Sequence, residues 1–235
     1  MTQNVSIIIP TLNAAAFLPT TLASLAGPPE IIAADSAPEI VAADSAPEII
    51  IADGGSTDET TAIAAAFGAR ILIAPRGRGT QIAAGICAAS HPWLLLLHAD
   101  TCLSPNWRAG AHDSTTHAGY FRFVLNSDDP RARRLERMVA WRSRVLGLPY
   151  GDQGLLIHRD LLRAVGGMKP LPLMEDVDLV RRLGRSRLLP LPADAVTAAH
   201  KWETQGYLRR SARNLLCLSL WFAGVPPGFI RRLYE

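Results

Sequence analysis

The sequence predicts an α/β protein: a mostly parallel central sheet covered by helices on both faces, in a single domain with a carboxy-terminal helical segment. Three observations carry this. Runs such as Val5-Ser6-Ile7-Ile8-Ile9 and Trp93-Leu94-Leu95-Leu96-Leu97 lack apolar-polar alternation, as strands buried on both faces do. Helix-length segments separate these runs, which is the pattern of strands joined by crossover helices. The chain has 235 residues, 49% of them hydrophobic, enough to bury a full core.

Taken in order, residues 5–10 read as a first strand closed by Pro10, 14–25 as a helix, 48–52 as a second strand and 57–67 as a helix. Residues 70–74 read as a third strand, 80–89 as a helix and 93–98 as a fourth strand. Past residue 115 the pattern loosens. Strands are expected at 120–125, 154–158 and 188–190, and helices at 131–145, 159–165, 177–183 and 206–222. The organisation expected is a domain over 1–205, divided into halves 1–115 and 116–205, followed by a helical tail over 206–235.

One stretch repeats. "PEIIAADSAPEIVAADSAPEIIIADGG" states a nine-residue unit three times, opened by Pro29, Pro38 and Pro47. Only the third copy runs on into Gly54-Gly55-Ser56-Thr57-Asp58, so it is expected to fill the second strand, with 29–46 a tandem insertion beside it. The spare copies keep strand propensity, which favours pairing at an edge or with a second molecule as a homodimer.

Charge and cysteine content bound the partners. The net charge is +3 and the pI about 9.0, with arginines clustered in 131–144, 181–187 and 209–213. These suit solvated helix faces, an anionic ligand or an acidic lipid surface, and no nucleic-acid motif accompanies them. Cys87, Cys102 and Cys217 lack metal-ligand spacing and sit in apolar sequence, as buried thiols in a reducing compartment would. The first residues do not resemble a signal peptide, and the apolar stretch 215–225 is too short to span a bilayer, so a cytoplasmic protein is expected. Arg209, Arg210 and Arg213 beside Leu215, Leu216, Trp221 and Phe222 would suit peripheral contact with the inner face of a membrane; packing on the domain or on a second subunit is the alternative.

In sheets of this kind ligands bind at the carboxyl ends of the strands. The polar residues gather there: Pro10-Thr11-Leu12-Asn13 after strand one, Asp53 to Asp58 after strand two, Arg76-Gly77-Arg78-Gly79 after strand three and His98-Ala99-Asp100-Thr101 after strand four. Gly54 and Gly55 allow a tight turn, and Ser56, Thr57 or Asp58 can cap the next helix. Guanidinium groups and glycines before a helix suit a nucleobase or diphosphate. A carboxylate emerging from a buried strand, as Asp100 does, suits Mg²⁺ or Mn²⁺ shared with phosphate oxygens. Glu175-Asp176 opens a helix, where acids also simply complement the dipole. Gly151-Asp152-Gln153-Gly154 is a polar turn able to shape an acceptor pocket.

These residues, in this order along nearly the whole chain, resemble family 2 nucleotide-sugar glycosyltransferases of the Rossmann-like GT-A fold. The segments "HADT", "GDQG", "LPLMEDVDL" and "GVPP…RRLY" are most similar to a short bacterial branch described as arsenosugar-biosynthesis-like. The resemblance implies a nucleotide-sugar-binding half over 1–115 and an acceptor-binding half over 116–205. It implies a UDP-type donor held by Pro10, Thr11, Asn13, Asp53, Gly55, Ser56, Asp58, Arg76, Arg78 and Asp100, with Asp53 on the base or ribose. It implies a divalent cation on the diphosphate at Asp100, with His98 a weaker ligand, and a small-molecule or lipid acceptor at Gly151, Asp152 and Gln153. Asp176, with Glu175 beside it, would supply the base for an inverting transfer.

The sequence also departs from the family. Ala14 stands where relatives commonly carry an acid, the metal motif is reduced to His98-Ala99-Asp100, and His200-Lys201-Trp202 replaces the signature of processive synthases, so a single transfer is expected, with His200 and Lys201 facing the diphosphate. The alternative reading is a catalytically impaired nucleotide-sugar-binding or scaffold protein. A sugar-nucleotide pyrophosphorylase would want a glycine-rich loop after strand one, and residues 10–15 are not one.

Overall fold

The computed structural model describes residues 4–25, 47–108 and 114–234. The first half alternates as expected: β1 (Val5–Thr11), α1 (Leu18–Leu25), β2 (Glu48–Asp53), α2 (Thr60–Ala66), β3 (Arg70–Ile73), α3 (Arg78–Ala88) and β4 (Trp93–Leu96). β3, β2, β1 and β4 lie side by side and parallel, with Ile8 opposite both Ile50 and Leu96. The third copy of the repeat supplies β2. Copies one and two, and the edge pairing expected of them, lie outside the described residues.

The second half continues the same sheet in mixed directions. β5 (Thr101–Leu103) and β6 (Ala118–Asn126) are followed by α4 (Pro130–Leu146), β7 (Leu155–His158), α5 (Arg159–Ala164), α6 (Glu175–Leu183) and β8 (Leu188–Ala198). The eight strands run in the order β3-β2-β1-β4-β7-β6-β8-β5, with β7 antiparallel to both β4 and β6, and β8 parallel to β6. Two strands differ from the sequence reading, and the helix over His200–Gln205 is an addition to it. The expected strand 188–190 runs on to Ala198, because Leu191, Ala193 and Ala195 keep turning inward on alternate residues past two prolines. β5 is three residues long and gains its identity only by pairing with β8. α7 (His200–Gln205), α8 (Tyr207–Phe222) and α9 (Pro227–Tyr234) end the chain.

The core divides at the sheet. Ile7 and Ile9 join Leu18, Leu22, Ile51, Leu95 and Trp107 on one face, while Ile8 joins Ile50, Ile82, Leu94, Ile157 and Val180 on the other. This is the packing that continuous apolar strands require. α3 lies so close to β1 that a Cβ on Gly85 would come within 2.4 Å of the Ile8 side chain. Cys217 is buried as expected, but Cys102 is only partly covered and Cys87 is exposed, because Cys87 falls on the outer face of α3. Among the described residues no helix is long and apolar enough to cross a membrane.

Candidate active site

The loops after β1 and β2 are built as one unit around Asp53. Its carboxylate is 1% exposed and accepts hydrogen bonds from Thr11 Oγ1 (2.9 Å), Gly55 N (2.9 Å), Ser56 N (2.7 Å) and Ser56 Oγ. Burial alone would raise its pKa, yet the donors from Ser56, Thr11 and Gly55 bring it below the usual carboxylate value. Four acceptor positions are what a carboxylate has, and the protein fills them. Asp53 therefore shapes the loop from within. Asn13 adopts φ 50°, which asparagine tolerates, and its Oδ1 accepts from Thr57 N at 2.8 Å while its own N–H donates to Ser56 Oγ at 2.9 Å. Ala14 N donates to Thr60 Oγ1 and Ala15 N to Asp58 Oδ2, so three successive residues, Asn13 to Ala15, latch the two segments through four backbone N–H groups. Gln81, whose importance the sequence does not advertise, is buried beneath them: its Nε2 donates to Thr11 O (2.7 Å) and Ala52 O (2.8 Å). The signal was a polar residue on the inward face of an apolar helix.

A second cluster lies in a cleft at the carboxyl end of β4, with a cavity of about 150 Å³. Arg78, His98, Asp100, Tyr150, Asp152 and Asp176 line it, together with Thr197, Lys201, Trp202 and residues of α8 and α9. Arg78, on the first turn of α3, ion-pairs with Glu175 and lies 3.8 Å from Asp176. Asp176 accepts from Gly151 N (2.8 Å) and Val177 N (2.8 Å). Burial pushes its pKa up, but Arg78 and these amides outweigh burial and hold it ionised, below the usual value. Glu175, 1% exposed, is shifted the other way, upward, by burial and by the charge of Asp176, against the pull of Arg78. Met174, just before the pair, holds a left-handed φ of 65°, the kind of backbone strain that tends to gather at functional sites.

Asp152 is partly buried in the same cleft, its Oδ1 is fully covered with no hydrogen-bond partner, and desolvation pushes its carboxyl up to about 6. His98 is held near 4, chiefly by burial and then by the Arg78 charge, so it is a neutral imidazole. Its Nε2 packs against Gly151, where a Cβ would stand only 2.4 Å away. Lys201 Nζ lies 3.5 Å from Asp100. Tyr150, with Arg142 over its ring at 3.4 Å, is pushed up to about 12 by burial and so keeps its proton.

The structure therefore sorts the expected residues into two groups. Thr11, Asn13, Asp53, Gly55, Ser56 and Asp58 belong to the latched unit, with Pro10 still in β1 opposite Ala52, whereas Arg78, His98, Asp100, Asp152 and Asp176 share the cleft. Arg76 is exposed and lines neither group. Gln153 is 1% exposed and bonds Ser143 Oγ (2.8 Å) and Phe121 O (3.0 Å), so it anchors the Gly151 turn from below. His200 is exposed, while its neighbour Lys201 faces Asp100.

The donor set also bears on a divalent cation. Among the described residues no three His, Cys, Asp or Glu side chains gather as a complete metal site. Asp100 and the unpartnered Asp152 Oδ1 nevertheless line one cleft, and Mg²⁺ or Mn²⁺ commonly takes one or two carboxylates and completes its shell from phosphates and water. The residues fit a cation that arrives with a diphosphate.

Residues 6–110, somewhat under half of the chain, match the model of the family described as Glycosyl transferase family 2. Over this segment the chain is similar to family 2 glycosyltransferases. Among solved structures, glucosyl-3-phosphoglycerate synthase from Mycobacterium tuberculosis in complex with Mn²⁺ and UDP-glucose is similar at TM-score 0.60 and 19% identity, covering 95% of this chain and 80% of that one. Its complex with UDP gives 0.59 and 19%, covering 95% and 81%. The complex with Mn²⁺, UDP-glucose and glycerol 3-phosphate gives 0.58 and 19%, with the same coverage. At this identity the likeness shows the fold, which is of GT-A type. No curated protein matches the chain.

Proposed function

We propose that the chain is an inverting, non-processive glycosyltransferase that moves a sugar from a UDP-type donor to an acceptor hydroxyl. The observation that carries this is the convergence of Asp100, Asp152 and Asp176 with Arg78 and Lys201 on one cleft at the strand ends. The Mycobacterium tuberculosis synthase, with UDP-glucose and Mn²⁺ in its structures, supports the donor class and the cation. A place in the arsenosugar-biosynthesis-like branch rests on the motifs alone.

In this reading the latched loops, organised by Asp53, form the floor for the nucleoside. A divalent cation held by Asp100, with Asp152 at hand, would neutralise the departing diphosphate. Lys201 adds a fixed positive charge on the same side. Asp176, kept ionised by Arg78 and aimed by the Gly151 N–H, takes the proton of the acceptor hydroxyl. As that oxygen bonds to the anomeric carbon, the carbon–oxygen bond to the diphosphate breaks, and its electron pair leaves with UDP. One displacement inverts the configuration. His98, neutral and pressed on Gly151, positions the turn that aims Asp176.

On α8, Leu208, Leu215 and Phe222 recur every seven residues, all exposed and with Arg209 at their edge. This supports peripheral contact with an acidic lipid surface, which co-sedimentation with acidic vesicles tests.

The test of the function is acceptor-independent hydrolysis of a UDP-sugar panel with Mn²⁺. Turnover of at least one donor, lost in Asp100→Ala at unchanged melting temperature, is expected. Saturable donor binding with no turnover across the panel would make the chain a nucleotide-sugar-binding protein instead.

A further inference from the structure

One wall of the cleft comes from the carboxy-terminal helices. Arg210, Asn214, Cys217 and Leu218 of α8, spaced to share one helix face, line it together with Tyr234 of α9. Two polar atoms on this wall are buried without a partner: Arg210 Nε and Asn214 Oδ1. The rest of the Arg210 guanidinium is held in place, with Nη1 donating to Gln205 Oε1 at 3.0 Å and the plane 5.0 Å from the centre of the Trp202 ring.

The charge balance of the cleft singles this arginine out. Arg78 answers Glu175 and Asp176, and Lys201 answers Asp100. Arg210 lines the same cleft and, among the described residues, ion-pairs with no carboxylate. A fixed guanidinium with an unused buried donor and a side-chain amide one turn away is a receptor for an oxyanion. The inward atom of Asn214 is its Oδ1, an acceptor, and with the amide turned over its NH₂ would be the second donor.

We infer that α8 forms an acceptor subsite and that the acceptor is a small alcohol carrying an acid group, carboxylate or phosphate, held by Arg210 with Asn214. The inference rests on the glycosyltransferase reading and specifies its acceptor. Arg210, Asn214 and Asp176 line one and the same cavity, which brings such an acceptor beside the base.

Calorimetry on the full chain tests it, with glycerol 3-phosphate and glycerate as charged probes and glycerol as the neutral one, each with and without UDP and Mn²⁺. The wild-type chain should bind both charged probes at least about tenfold more tightly than glycerol. Arg210→Gln should lose about 10- to 100-fold of the charged probes' affinity, as expected for a charge-assisted hydrogen bond. Asn214→Asp, nearly isosteric, should lose it by repulsion and guards against a folding defect in the first variant. Loss for glycerol 3-phosphate alone assigns the subsite to phosphate, and equal loss for both probes assigns it to any small oxyanion; either supports the inference. Equal affinity for charged and neutral probes in the wild type, or unchanged affinity in both variants, would overturn it. So would a loss of UDP affinity in place of the acids', since Arg210 would then belong to the donor. A chain that binds the acids through Arg210 yet turns over no UDP-sugar would refute the proposed function and leave the subsite standing.

Discussion

Arg78 at the start of α3 ion-pairs with Glu175 at the start of α6, 97 residues later, and joins the amino-terminal half of the sheet to the acids of the second half. Gly79 makes the approach feasible: a Cβ there would stand 2.7 Å from the carbonyls of Lys169 and Leu171, in the loop leading to α6. Glu175 is buried, whereas the Arg78 side chain is 34% exposed, so removing Arg78 leaves a buried carboxylate without its counter-charge. Arg78→Met should therefore cost about 3 kcal/mol of stability. Glu175→Gln in that background should recover most of it, as read by denaturant unfolding. Equal stability of Arg78→Met and wild type would show that the pair is not a structural tie.

Asp176→Asn keeps an oxygen for the Gly151 N–H but cannot take a proton. A loss in kcat of about 10²-fold or more is expected, with donor affinity largely kept, because a base acts mainly in the transition state. Weakened donor binding at normal kcat would make Asp176 a binding group.

Asp152 gives a pH-dependent outcome. In the folded chain its carboxyl titrates at about 6 instead of 3.8, so the folded state binds the proton more tightly than the unfolded one. Its burial is tolerated fully below about pH 4, and ionisation opposes folding as the pH rises through 6. Asp152→Asn, always neutral, should stabilise the metal-free protein by on the order of 2 kcal/mol at pH 8, with the gain vanishing near pH 4. Thermal melts across that range measure it. A variant less stable than wild type at pH 8 would place an unseen partner on Asp152.

The repeat supplies a fourth expectation. Since the third copy forms β2, deleting residues 29–46 should leave a folded chain of equal or higher stability that still binds the donor. Closing a connection longer by eighteen residues costs only about 1 to 2 kcal/mol. Loss of folding or of donor binding on deletion would make the first two copies structural parts of the fold.

Much of the architecture was legible because its signals are local. β1, β2 and β4 are apolar runs with no alternation, and each ends in polar residues that the parallel sheet delivers to one rim. Asp100, Asp152 and Asp176 could be named from their segments, and the cleft does collect them. Local signals fade in the second half, where β5 is three residues long and β8 crosses two prolines, so that pairing with β5 and β6, more than propensity, makes these strands.

What the sequence by itself determined is thus the parallel half of the sheet, the order of the rim loops and the identity of the acids. Tertiary structure decided what each residue does there, because hydrogen bonding and charge depend on neighbours distant in the chain. Asp53 became the hub of its own loop since Thr11, 42 residues away, and Ser56 fill its lone pairs. Asp152 and Asp176, both carboxylates near one turn, were driven apart in pKa because Arg78 and an amide reach one and little compensates the burial of the other. The arginines of α8 look alike in sequence, but the helix turns Arg210 into the cleft and leaves Arg209 in solvent.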